Sequence, residues 1–524
     1  FPDPRQWRFN AGAFPVIICP TAAAAQTIKA SLEVLPDGTV VAHKFQRRIA
    51  ELLPGLLAPE RVGKTEELLI PLDSRREAWL QHPARNAQLL TPYNLYPALY
   101  EALTEQNLDP ASHWGGAIGN KAWQDKLELA PPGNRWDRLQ VIAGTFAGVS
   151  AGGNYGEALA EASLLDAPFN PYFGRQELLY RAAAVALRDL MALPEHEVWL
   201  GFGATLDPYP GFMGFMTARR NFPEYALAAP YLPKEVREVW TEGLRRIVDR
   251  HYPDMLVTCR NQSSHYLVTW EMFAHGSGDP RYRDLSRRYA ERFARSAHPA
   301  GYQMENLGPD ATYCGMQHWH MALYYRLSGD PVMLEAIRQS YRFFNHTVAP
   351  EPDGTPVGAF NFSHRTPAGF QGEQWSGARG MMTDLLPEVG LWASAPLTSE
   401  AAERRKPEQA DALAAALSQP LPKPQWPMLG WPHYQYWTDQ PDRTGIWPAR
   451  ESAPFIRDFA GEMVAVRRPG YYAAIYVGHP ISDRWYLKGG KNLRLPLPQE
   501  VESAGGFDIW RLYSGAQPPF KPGL

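Results

Sequence analysis

Cysteine is nearly absent. The 524 residues hold three, Cys19, Cys259 and Cys314, an odd number without metal-ligand spacing. That argues against a disulfide framework and a cysteine metal cluster, and favours small buried apolar residues. No apolar run approaches the ~20 residues that a membrane-spanning helix needs. Neither charge dominates: 52 Lys and Arg face 55 Asp and Glu, a net charge of -3, with a pI near 6.6. Nothing in that balance points to nucleic acid or to an anionic membrane surface. The glycine-rich turn SAGGNYGEA (150–158) has neither GxGxxG nor a Lys-Ser/Thr ending, so it is no phosphate loop.

What is present is length and aromatic mass. The chain is long enough for two or three domains, and its 45% hydrophobic and 20% charged residues describe a globular protein with a sizeable core. The 17 Trp, 25 Tyr and 22 Phe are mostly core, yet aromatic planes are also how proteins grip the apolar faces of sugar rings.

One stretch, 261–348, organises the rest, because it reads as a helical hairpin written twice. SGDP occupies 277–280 and returns 51 residues later at 328–331. In each copy an Asp (Asp279, Asp330) stands at N-cap and a Pro (Pro280, Pro331) at N1, where a missing N–H costs nothing. The preceding Gly ends the earlier helix. The second helices are expected to bury Tyr282, Leu285, Tyr289 and Phe293, then Leu334, Ile337, Tyr341 and Phe344. Consecutive hairpins at a fixed period predict a solenoid or a closed toroid of helical pairs. Superposing the copies sets Gln262 opposite Tyr313, so NQSSH (261–265) and PDATY (309–313) begin equivalent helices. In a toroid, equivalent helix starts open on one rim. Asn261, Gln262, His265, Asp310 and Tyr313 are therefore expected at a common mouth; taken singly, each also reads as an ordinary cap or turn residue.

Around this core the chain changes character. Residues 1–90 are mixed, with short strands in FPVIICP (14–20) and on both sides of the Asp37-Gly38 turn. Helical spacing begins near residue 91 and continues to about 395, with Asn154 and Tyr155 at one helix start. Residues 396–430 are Pro- and Ala-rich and read as a linker. Within 431–524 the period becomes two. GEMVAVRR and YYAAIYVG form a hairpin around Pro469-Gly470, and RWYLKGGKNLRLPLP and GFDIWRLYS add candidate strands, an antiparallel β domain. The expected class is multidomain α+β: an incomplete (α/α) toroid of helical hairpins followed by a C-terminal antiparallel sheet or sandwich.

NQSSH, PDATY, FSHR around His364 and Arg365, and the GEMVAVRR–YYAAIYVG hairpin together resemble the polysaccharide lyases of the heparinase II/III, alginate lyase and chondroitin AC lyase type. The likeness covers residues 90–524 through short motifs. It implies β-elimination on a uronic-acid glycan, with Asn261, Gln262 and Arg365 neutralising the carboxylate. Tyr313 and His265 share the base and acid roles, in either order. His364, Glu305, Asp310, Asn154, Tyr155, Trp375 and His318 are the implied substrate contacts, with Trp375 the sugar platform. His318 and His320 stand two apart and, in a helix, face different ways, so they make a poor metal pair. The implied partner is an acidic polysaccharide or oligosaccharide. No cofactor is required, though a structural divalent cation is compatible. The resemblance and the start at Phe1 rather than Met suggest a periplasmic or secreted protein. A glycoside hydrolase on the same toroid, working through two carboxylates among Glu305, Asp310 and Glu373, is the rival, and a non-catalytic glycan-binding protein is the third reading.

Overall fold

The structure is a computed structural model. It describes residues 17–18, 33–34, 40–41, 44–73, 95–112, 115–118, 155–164, 170–190, 199–200, 221–255, 264, 266–303, 309, 311–350, 356–358, 381–382, 385–393, 445–477 and 508–514. The chain divides into two compact units, each drawn from several stretches. The first comprises Phe1–Val257, Thr269–Asp284 and Pro422–Tyr434; the second comprises Thr258–Val268, Leu285–Leu421 and Gln435–Leu524. Helices prevail among the described residues, with an antiparallel sheet near the C-terminus, an α+β chain as expected.

In the first unit, β1 (Ile17–Ile18) pairs with a strand late in the unit, and β2 (Glu33–Val34) pairs antiparallel with β3 (Val40–Val41). The helices are α1 (Lys44–Leu56), α2 (Pro59–Val62), α3 (Thr65–Asp73), α4 (Leu95–Glu105), α5 (Tyr155–Leu164) and α6 (Gln176–Leu190). β4 (Trp199–Leu200), the partner of β1, a helical stretch at 221–228 and α7 (Lys234–Met255) follow. Alanine makes the centre possible. Ala158, Ala160 and Ala162 of α5 and Ala182, Ala183 and Ala186 of α6 are all buried, and such short side chains let two helix backbones approach closely. Buried Arg181 ties α6 to the preceding turns, donating from Nε to the Val62 carbonyl (2.8 Å) and from Nη2 to Thr65 Oγ1 (3.0 Å). Burial lowers its guanidinium to about 10.

An aromatic cluster closes this unit. Tyr225 packs on Trp240 (5.4 Å between ring centroids) and Phe273 (5.7 Å), and Phe273 meets Tyr282 edge-on at 4.6 Å. Gly276 is required here, since a Cβ would lie 2.3 Å from the Tyr225 ring.

The predicted repeat is present down to its hydrogen bonds. The hairpins are α8 (Tyr266–Ser277) with α9 (Arg281–Arg295), and α10 (Ala311–Ser328) with α11 (Pro331–His346). Ser277 and Ser328 each donate back to the carbonyl four residues earlier, at 2.6 and 2.7 Å. Gly278 and Gly329 hold φ of 74° and 70°, the left-handed close expected of a C-terminal glycine. Asp279 accepts from the Arg281 N–H at 3.1 Å, and Asp330 from the Val332 N–H at 3.0 Å.

Six of the eight predicted stripe residues are buried, and the stripes depart from the prediction at Leu285 and Leu334. Tyr282, Ser286, Tyr289, Ala290 and Phe293 are buried in α9, and their 51-residue equivalents Met333, Ile337, Ser340, Tyr341 and Phe344 in α11. Leu285 and Leu334 are only half-buried. Size misled the assignment: the repeat conserves the phase of the helix, so Ser286 and Ser340 point inward because of where they stand.

In the second unit, β5 (Val348–Pro350) and β6 (Pro356–Gly358) form a ribbon after α11, and α12 (Pro387–Ala393) packs on α11. The strands β7 (Phe455–Phe459), β8 (Met463–Arg468), β9 (Tyr471–Tyr476) and β10 (Asp508–Ser514) form an antiparallel meander. Gly470 at the β8–β9 turn has φ of 91°, the position after proline that a type II turn reserves for glycine. Alternation puts Phe459, Met463, Ala465, Tyr472, Ala474 and Tyr476 on one buried face. That face meets the end of α11: Phe343 and His346 lie 5.8 and 4.9 Å from the Phe459 ring.

His346 is locked in one tautomer there. Its Nδ1–H donates to the Arg342 carbonyl at 2.7 Å, and its Nε2 accepts from Arg457 Nη1 at 2.7 Å. Burial first, and the neighbouring Arg457, hold the imidazole down to about 3. An unfolded histidine takes its proton near 6.5. The native state therefore refuses a proton that the unfolded chain accepts, and stability should fall as pH drops from 6.5 toward 3. The slope is about 1.4 kcal/mol per pH unit for one proton. Urea midpoints at pH 7 and pH 5 should show that dependence in the wild type and a smaller one, by one proton, in His346→Gln. Equal slopes would remove His346 as the cause.

Candidate functional site

The described residues nearest in sequence to the predicted mouth gather on α10. The described residues of this helix from Cys314 to Tyr324 are buried, polar groups among them. Ser264, next to His265 in sequence, lies with its Oγ 2.7 Å from Nδ1 of His320. That contact joins Ser264 to the helix whose first turn holds Tyr313. His318 faces another way: its Nε2 is 2.6 Å from Ser340 Oγ on α11, and its ring lies 4.7 Å from that of Tyr341. The two histidines thus serve different neighbours, as the spacing predicts. His318 is 1% exposed, and its observed contacts fasten the α10–α11 hairpin. The first hairpin is fastened at the corresponding level, where Ser286 donates to the Leu267 carbonyl at 2.5 Å.

Just before α10, the Gln303 backbone carbonyl accepts from the Cys314 thiol at 3.0 Å. Cys314 is fully buried, as expected of a small apolar residue. Gln303 and Gln317 are also fully buried, and neither amide atom of either side chain has a hydrogen-bond partner among the described residues. Sequence reading passed over both, since a glutamine, whether in the irregular backbone at 303 or in the helix at 317, carries no local signal of burial.

A second polar centre lies between 298–302 and the sheet. The β7–β8 turn passes through Ala460 (φ 53°) and Gly461 (φ 73°), both left-handed, and brings Glu462 inward. The Glu462 carboxylate accepts from the Tyr302 hydroxyl at 2.9 and 3.0 Å and from the Tyr476 hydroxyl at 3.0 Å. His298 Nδ1 lies 2.8 Å from Oε2 of the same carboxylate. Burial, reinforced by that carboxylate, pushes both phenols well above their usual range, so they stay protonated donors.

Of the remaining predicted site residues, Tyr155 opens α5 in the first unit and donates to Glu101 Oε1 at 2.6 Å. Tyr313 lies in the first turn of α10, but its side chain is outside the described residues. Asn154, Asn261, Gln262, His265, Glu305, Asp310, His364, Arg365 and Trp375 also lie outside them, as do Cys19 and Cys259. Among the described residues there is no grouping of His, Cys, Asp and Glu fit to hold a metal ion, and no helix is long and apolar enough to cross a membrane. Comparison with known proteins gives no match to a family model and none to a curated protein.

Proposed function

We propose that this chain is a polysaccharide lyase that cleaves a uronic-acid glycan by β-elimination on a toroid of helical pairs. The observation that carries the reading is the Ser264–His320 contact at 2.7 Å. It ties Ser264, the sequence neighbour of His265, to the helix that carries Tyr313 in its first turn, which supports the juxtaposition the repeat calls for.

The chemistry asks for three things. The C5 proton of a uronate lies α to a carboxylate and is barely acidic while that group keeps its full charge. Donors from Asn261, Gln262 and Arg365 would hold the charge that builds on the carboxylate as the proton leaves. A base among Tyr313 and His265 takes the C5 proton, the C4–C5 double bond forms, and the C4–O4 bond breaks. The departing O4 takes a proton from the other of the pair. A tyrosine of ordinary pKa ~10 needs donors or positive charge beside it to serve as base; His364 and Arg365 are the candidates. Glu305, Asp310 and Trp375 remain candidate substrate contacts.

Incubation with a panel of uronate polysaccharides should generate ultraviolet absorbance from the new conjugated double bond. Release of reducing ends without absorbance would replace this reading with a hydrolase.

A further inference from the structure

The least explained polar groups in the second unit are the side chains of Gln303 and Gln317. Both are fully buried, and all four of their amide atoms lack a hydrogen-bond partner among the described residues. They share a neighbourhood. Cys314, whose thiol donates to the Gln303 backbone carbonyl, precedes Gln317 by one helical turn, on the same side of α10. Gln317 also stands one turn beyond Tyr313. The other buried polar residues of this helix differ in kind, since His318 and His320 are both engaged, with Ser340 and Ser264.

An unpaired buried amide is costly, whereas an apolar residue of the same length would fill the space without that penalty. A ligand that supplies the missing partners removes it. The groups themselves state its chemistry. Each amide offers two donors and one acceptor and carries no charge. A phosphate or carboxylate would leave the two Oε1 acceptors facing an anion, and a cation would leave the Nε2 donors facing it. Hydroxyl groups both donate and accept, so neighbouring hydroxyls on one ring satisfy both amides.

We propose that Gln303 and Gln317 form a hydroxyl-reading subsite for a sugar ring, one helical turn from Tyr313. The proposal deepens the glycan-lyase reading and rests on it for the choice of sugar among hydroxyl-rich molecules. Because the amides are closed off from solvent, a ring reaches them through a local opening, and association is slower than a diffusional encounter.

Gln303→Met and Gln317→Met test it, since methionine keeps the length and removes the polar atoms. Two readouts are needed: the melting midpoint without sugar, and calorimetric titration with two probes. The probes are uronate oligosaccharides and neutral hexose oligosaccharides, which lack the carboxylate that elimination requires. The expected result is a midpoint at or above that of the wild type in each variant, with affinity for the sugar weakened about tenfold or more. A lowered midpoint in either variant means that the amide serves the fold, and overturns the proposal. Unchanged affinity overturns it too, as does a wild type that binds neither probe. Amide-dependent binding without double-bond formation would keep the subsite and discard the lyase.

Discussion

Tyr313→Phe is expected to lower turnover by roughly 10²–10⁴-fold on whichever glycan yields the ultraviolet product. The change removes one oxygen and keeps the aromatic ring, so the folded state should melt close to the wild type. The size of the effect follows from the role proposed for the hydroxyl. Proton transfer to or from a reacting group by a positioned side chain contributes that range, and phenylalanine has no proton to give or take. The Michaelis constant should move far less than turnover, because the missing interaction is made in the transition state. A folded Tyr313→Phe enzyme with wild-type turnover would take Tyr313 out of the mechanism. Asn261→Ala then becomes the discriminating variant, since loss of a charge-stabilising donor should cost ~2.7–4 kcal/mol of barrier.

Glu462→Ala is expected to be the most destabilising single change at the second polar centre, by about 3–5 kcal/mol. The carboxylate is 8% exposed and accepts from two phenols, with Nδ1 of His298 lying 2.8 Å from Oε2. Deleting it takes away the acceptor that the buried Tyr302 and Tyr476 hydroxyls share, and they cannot escape by ionising, because burial has pushed both upward. The tyrosine ring at 302 also stacks on His298 (4.8 Å) and packs on Phe343 (4.7 Å), so a shift there disturbs the aromatic contacts behind it. Glu462→Gln should fall between wild type and alanine. It keeps one carbonyl acceptor for a phenol but turns an N–H₂ toward a donor. Urea denaturation gives the test: a midpoint shift equivalent to less than about 1 kcal/mol for the alanine variant would mean that the cluster contributes little net stability.

Much of the architecture is written locally. The SGDP copies predicted two helix ends, two N-caps and two left-handed glycines, and each is present at the expected residue. Pro469-Gly470 predicted a turn between two strands, and β8 and β9 meet there in register. These features depend on residues within four or five positions of one another, so a single stretch contains all the information. The stripe on α11 was less legible. Leu334 looks like core and Met333 and Ser340 do not, yet the helix phase set by the repeat buries the latter two.

The polar interior follows a different logic. Nothing near Glu462 announces that Tyr302, 160 residues earlier, will donate to it. Nor does His346 carry a sign that Arg457 will come to its Nε2, or His318 that Ser340 will meet its own. A polar residue reads as surface in one dimension because water is its default partner. Only when distant segments exclude that water do partners have to be found within the protein. So the sequence alone determined the hairpins, their caps and the strand turn, through short-range hydrogen bonding and periodicity. Tertiary packing decided which polar groups were taken out of water, and which of them, as at Gln303 and Gln317, were left with no partner among the described residues.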